Sequence, residues 1–138
     1  MTNEFAIAVH ALVYLNHVGR DVPSDKLAEN VCTNPVCIRK VMGKLKKAGM
    51  IGTKEGLGGG YHIAVDADKL DLRVVSAALK VQPVKSSWRS GNPKDACKIC
   101  SQMAGIMDEL VEDMNAVCEE YLQKTTIKDI EEKIFQKE

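Results

Sequence analysis

The sequence is short of several things, and each shortage removes a class of function. No apolar run approaches the ~18 residues needed to cross a bilayer, so nothing in the chain reads as a membrane span. The opening stretch MTNEFAIAVHALVYL carries no basic region, so it is not read as a secretory signal, and a cytoplasmic location is expected. There is no internal repeat and no low-complexity tract. No Ser/His/Asp set and no paired carboxylates stand where they would suggest catalysis, so no catalytic residue is expected. The glycine run GLGGG lacks the strand-to-helix unit of a dinucleotide site and the Lys-Ser/Thr that closes a phosphate loop. Cys97 and Cys100 form a CxxC half-site without a second pair, and His10, His17 and His62 are dispersed, so no metal site is expected. Net charge is absent too, because 19 Lys or Arg balance 19 Asp or Glu.

That balance hides an asymmetry. Residues 1–80 carry 11 Lys or Arg against 8 acids, whereas residues 101–138 carry 4 against 10. Within residues 33–54, TNPVCIRKVMGKLKKAGMIGTK, there are six bases and no acid. With 138 residues, 45% of them hydrophobic, the chain supports one domain with a real core.

The apolar period places the elements. Phe5, Ile7, Ala8, Ala11, Leu12 and Leu15 predict a helix over residues 3–18, closed by Gly19. Pro23 and Ser24 precede a short second helix through Val31, with the serine offering a capping oxygen. Asn34 caps a third helix whose first helical residue is Pro35, and Gly49 ends it. MIGTK and GYHIAV read as a hairpin with a glycine-rich tip. A fourth helix follows at about residues 72–79, then a polar loop that holds Trp88, read as a packed anchor. A helix of some 40 Å spans about residues 96–123, and a short terminal helix is capped by Thr125 or Thr126.

Three helices and a basic hairpin make a mostly α winged helix–turn–helix with a small β wing. In that motif the second helix of the pair enters the major groove. A duplex carries one charge per ~1.7 Å, which explains why acids are kept out of residues 33–54. The expected DNA contacts are Thr33, Asn34, Val36, Arg39, Lys40 and Lys44 from the third helix and its approach. Thr53, Lys54, Gly59 and Tyr61 are expected from the wing. On the long helix, Met103, Ile106, Leu110, Met114, Val117 and Tyr121 form an apolar stripe that needs a partner, and a homodimer supplies one. The expected organisation is residues 1–80 for DNA binding, 81–95 as a sensor loop and 96–138 as a dimerisation helix with a terminal helix.

The run TNPVCIRKVMGKLKKAGMIGTKEGLGGGYHI resembles the signature of the Rrf-two (BadM-type) bacterial transcriptional regulators, and so do FAIAVHALVYL and the terminal TTIKDI. The resemblance implies a homodimeric regulator, expected to be a repressor, on a pseudo-palindromic operator. Members of that family often place an Arg before the first wing glycine; Glu55 stands there, and Lys54 is expected to take over its contact. Several relatives bind an iron–sulfur cluster through three loop cysteines, of which this chain keeps only Cys97 and Cys100. No resident cofactor is therefore expected, the alternative being a cluster- or metal-sensing regulator that uses those two residues. A further alternative is a protein-interaction adaptor that has kept the winged fold without DNA binding.

A thiol switch fits the inventory better. Cys97 lies at a helix start between Lys94 and Lys98, which makes it the thiol expected to react first. Cys100 is on the same turn, where a disulfide to Cys97 would have poor geometry. Cys32, ahead of the third helix, is the favoured partner, on the same or the other subunit. Cys37 is read as a small core residue and Cys118 as dimer packing.

Overall fold

The structure, a computed structural model, describes residues 3–86 and 88–136. Apolar spacing builds α1 (Asn3–Val18), which buries Phe5, Ala8, Ala11, Leu12, Val13 and Leu15. The start of α2 (Ser24–Val31) differs from the expectation. Pro23 occupies the cap position and no side chain caps the helix, because Ser24 is already its first helical residue. At its end stands Cys32 in the left-handed region with φ 64°, where glycine is the usual residue. By contrast, α3 (Pro35–Lys47) starts as read: the Cys37 N–H donates to Asn34 Oδ1 at 2.9 Å, and Pro35 needs no partner for a missing N–H.

Ile38, Val41, Met42 and Leu45 of α3 join Leu12, Leu15 and Leu27 in the core. Burying each such side chain is worth about 1.5–3 kcal/mol. This fixes which face of α3 is left outward. The wing is an antiparallel pair, β1 (Ile51–Lys54) and β2 (Gly60–Ile63), with Thr53 opposite Tyr61 and Lys54 opposite Gly60. Val22, just ahead of α2, exchanges both backbone hydrogen bonds with Tyr61 at 2.9 Å. Gly60 permits this approach, since a Cβ there would sit 2.2 Å from the Val22 carbonyl oxygen at a φ of +147°.

A 3-10 turn at Ala67–Lys69 leads into α4 (Leu72–Ala78), capped by Asp71, whose side chain accepts the Val74 N–H at 2.9 Å. Then come α5 (Lys98–Leu122) and α6 (Ile127–Phe135). A capping box between Thr126 and Asp129 starts α6, which packs on α1 and buries Ile127 completely. At about 1.5 Å per residue, the 25 residues of α5 extend roughly 37 Å. Leu122 at one end joins the core, and α5 meets α4 there through Arg73, which pairs with Glu119 at 3.6 Å.

The loop before α5 runs back along that helix. Asn115 takes the Val84 N–H at 2.8 Å and donates to the Val84 carbonyl at 3.0 Å. Further along, Trp88 is 77% exposed and so is not the packed anchor expected of it, while Arg89 grips both oxygens of Asp108 at 2.7 and 2.8 Å and the Asn92 N–H donates to the Cys100 carbonyl at 2.9 Å.

Candidate nucleic-acid interface

Because α3 buries the face of Ile38, Val41, Met42 and Leu45, its opposite face is presented to solvent. Val36 (66% exposed), Arg39, Lys40, Gly43, Lys46 and Lys47 stand on or beside that outward face at three- and four-residue spacing. Arg39 makes no hydrogen bond or ion pair among the described residues, so its guanidinium is available to a ligand. Asn34 is exposed but its side chain is spent on the cap, and Thr33 is half-buried, its N–H bonded to the Ala28 carbonyl at 3.0 Å.

Two of the lysines are already engaged. Lys44 Nζ lies 2.8 and 3.1 Å from the two carboxylate oxygens of Glu4, and Lys40 Nζ lies 3.3 Å from one of them. The Lys44 ammonium is the main reason the Glu4 carboxyl is held below its ordinary pKa, against the opposing effect of burial. A third lysine, Lys46, donates to Thr53 Oγ1 at 2.9 Å, joining α3 to the wing.

In the wing, Thr53 and Lys54 are exposed, whereas Gly59 is buried beneath the Lys54 carbonyl and Tyr61 is half-buried against the core. Leu57 stands fully exposed at the wing tip. Sequence reading passed over Leu57, Gly43 and Glu4. The first two carried a weak signal, an apolar residue inside GLGGG and a glycine in the outward period of a helix. Glu4 carried none, because it meets Lys44 only in the folded chain.

The predicted dimer residues Met103, Ile106, Leu110, Met114, Val117 and Tyr121 are all exposed on α5, and Ile99 and Met107 extend the stripe. Cys97 is the exposed cap residue of α5. Its backbone N–H donates to Asp95 Oδ1 at 2.8 Å, which ties a carboxylate to the backbone of the cap residue. Cys100 is half-buried one turn on, and Cys32 is exposed in the turn before α3. All five thiols are free. No helix among the described residues is long and apolar enough to cross a membrane.

The Rrf2 family profile, described as iron-dependent transcriptional regulator, matches residues 1–133. The chain belongs to the Rrf2 family. This Rrf2 regulator is 27% identical over 135 residues to YwnA of Bacillus subtilis strain 168, whose name marks it as an HTH-type transcriptional regulator. That alignment covers 98% of this chain and 99% of YwnA. A solved transcriptional regulator from Lactobacillus plantarum superposes with a TM-score of 0.81 at 24% identity, covering 97% of this chain and 91% of that one. CymR of B. subtilis superposes with a TM-score of 0.68 at 16% identity, covering 95% of each chain. The protein is thus a DNA-binding transcriptional regulator and not an enzyme, with the winged-helix fold of these neighbours.

The family description raises iron, whose clusters are held by several cysteine thiolates. Cys97 and Cys100 bring two thiols to one helix turn, and among the described residues no group of three or more His, Cys, Asp or Glu side chains is placed to hold a metal. Two thiols on one turn are fewer than a cluster needs, so the described residues of one chain do not by themselves fit one.

Proposed function

We propose that this Rrf2 regulator is a homodimeric repressor of a pseudo-palindromic operator and that oxidation of Cys97 lowers its operator affinity. The observation that supports the reading most directly is the stripe on α5, where side chains from Ile99 to Tyr121 are 39–72% exposed along one long helix. An apolar row of that length on a single chain favours burial against a second copy. Such pairing presents two α3 helices to successive major grooves, about 34 Å apart.

The thiol part of the proposal follows from placement. Cys97 is exposed at the end of α5 remote from the core contact of Leu122, with Cys100 on the same rigid turn. Cys32 of the second subunit is the partner that would couple this tip to the turn before α3. CymR, which shares the fold, is named as a global cysteine regulator.

The test is to select bound fragments from genomic DNA with reduced and with oxidised protein, and to sediment both forms. Palindromic fragments recovered by a reduced dimer, lost on oxidation and regained with a thiol reductant, are the expected result. Identical fragments from both forms would remove the thiol switch, and a monomer that binds a palindrome tightly would remove the dimer. Coloured protein purified without oxygen would favour a cluster instead.

A further inference from the structure

Glu4 belongs to the first turn of α1, and its carboxylate reaches α3, 40 residues further along the chain. It does so on the edge of the face that presents Arg39 and Lys40. Both of its oxygens are within hydrogen-bond distance of Lys44 Nζ, and one is 3.3 Å from Lys40 Nζ. The Glu4 side chain is 27% exposed, that of Lys44 38% and that of Lys40 68%. Two of the six bases in residues 33–54 are therefore matched inside the protein, although the segment itself contains no acid.

We infer that Glu4 is a specificity-determining residue, which withholds Lys40 and Lys44 from the phosphates of nonspecific duplex. The argument rests on α3 being the DNA-contacting helix. Binding without sequence preference is almost wholly a matter of ammonium groups replacing counterions at phosphates. A lysine already neutralised by Glu4 gains little by exchanging a carboxylate for a phosphate, so a loosely docked duplex has little with which to draw it away. Binding to the operator adds base contacts from the outward face of α3, where Arg39 has no partner among the described residues. Those contacts fix the duplex close to the helix, and partly exposed ion pairs are weak enough to exchange there. Glu4 thus subtracts more from nonspecific binding than from operator binding. Its carboxyl, held below the ordinary range by Lys44, stays charged at neutral pH and so keeps this effect in place.

Glu4→Gln keeps the shape of the side chain and removes its charge. Wild type, Glu4→Gln and the double variant Glu4→Gln/Lys44→Met would be titrated with operator and with random-sequence duplex over a range of salt, with melting temperature as the folding control. Freeing one to two lysines should steepen the nonspecific log K against log salt slope by about 0.9 for each. Nonspecific affinity at low salt should rise roughly fivefold to tenfold, with a smaller gain on the operator. In the double variant about one unit of that slope should disappear. A merely structural Glu4 would lower the melting temperature and leave both the slope and the operator-to-random ratio as in wild type, which overturns the inference. A Glu4→Gln protein weakened on the operator alone also overturns it, since Glu4 would then be orienting the lysines for use. If wild type shows no salt-dependent duplex binding at all, the reading of α3 fails first and this inference with it.

Discussion

Gly43 offers a test of the proposal that α3 lies against the DNA. It lies in the interior of that helix, on the outward face between Arg39 and Lys46, and a Cβ built there meets nothing within 4 Å. The fold gives no packing reason for a glycine, yet glycine in an exposed helix interior costs about 0.8–1.0 kcal/mol relative to alanine. Gly43→Ala should therefore stabilise the protein by about that amount, raising the melting temperature by roughly 3–5 °C for a chain of this size. Protein concentration must be held fixed, because dimerisation would make the midpoint concentration-dependent. If the missing side chain lets the helix backbone approach the groove floor, the same methyl group should weaken operator binding by about 1 kcal/mol, roughly fivefold, and Gly43→Gln by more. Thermal unfolding and fluorescence anisotropy on a labelled operator read the two effects separately. A Gly43→Ala protein that melts at or below wild type would show that the site is not an open helix interior. One that is stabilised and binds the operator unchanged would refute the close approach.

The other expectations concern recognition, assembly and signal. Arg39→Ala should cost about 1–3 kcal/mol of operator binding and relax specificity if the side chain is bidentate to guanine; unchanged affinity in a folded variant would mean that another face of the protein reads the DNA. Leu110 is 48% exposed on the single chain, so Leu110→Asp should leave the fold intact while sedimenting as a monomer with sharply weaker operator binding. A dimer of Leu110→Asp with wild-type affinity would place the seam elsewhere. Cys97→Ser should keep the operator bound at oxidant doses that release wild type, and disulfide mapping should find Cys97 joined to Cys32. Release at the wild-type dose would move the switch to another thiol.

Much of this architecture was legible in the chain because the signals were local. Asn34-Pro35 opens α3 as its side-chain chemistry requires, Gly49 follows its end with a φ of 77°, and Thr126 caps α6. Serine 24 misled because a capping oxygen one residue too late serves no cap. What sequence could not show depends on residues distant in the chain. The Glu4–Lys44 pair joins positions 40 apart, the Val22–Tyr61 bridge joins a loop to a strand, and the packing of α6 on α1 joins the two ends of the chain. Each follows from the way the core closes, and no short-range periodicity reports it. At the candidate interface the basic residues were legible by type, but which of them are already paired depends on that closure.

The Val22–Tyr61 bridge has a mechanical consequence. Through it the wing is fastened to the segment that enters α2, and through Lys46 and Thr53 it is fastened to α3 as well. If α3 reads the groove as proposed, helix and wing would act as a die whose two parts are linked, and a duplex that fits one but not the other would have to bend or narrow to meet both. The energy of that distortion falls on the nucleic acid and varies with the stiffness of its base steps. Positions between the two contacts would then influence affinity without being touched by any side chain, and the sequence preference of this regulator should extend beyond the bases within reach of Arg39.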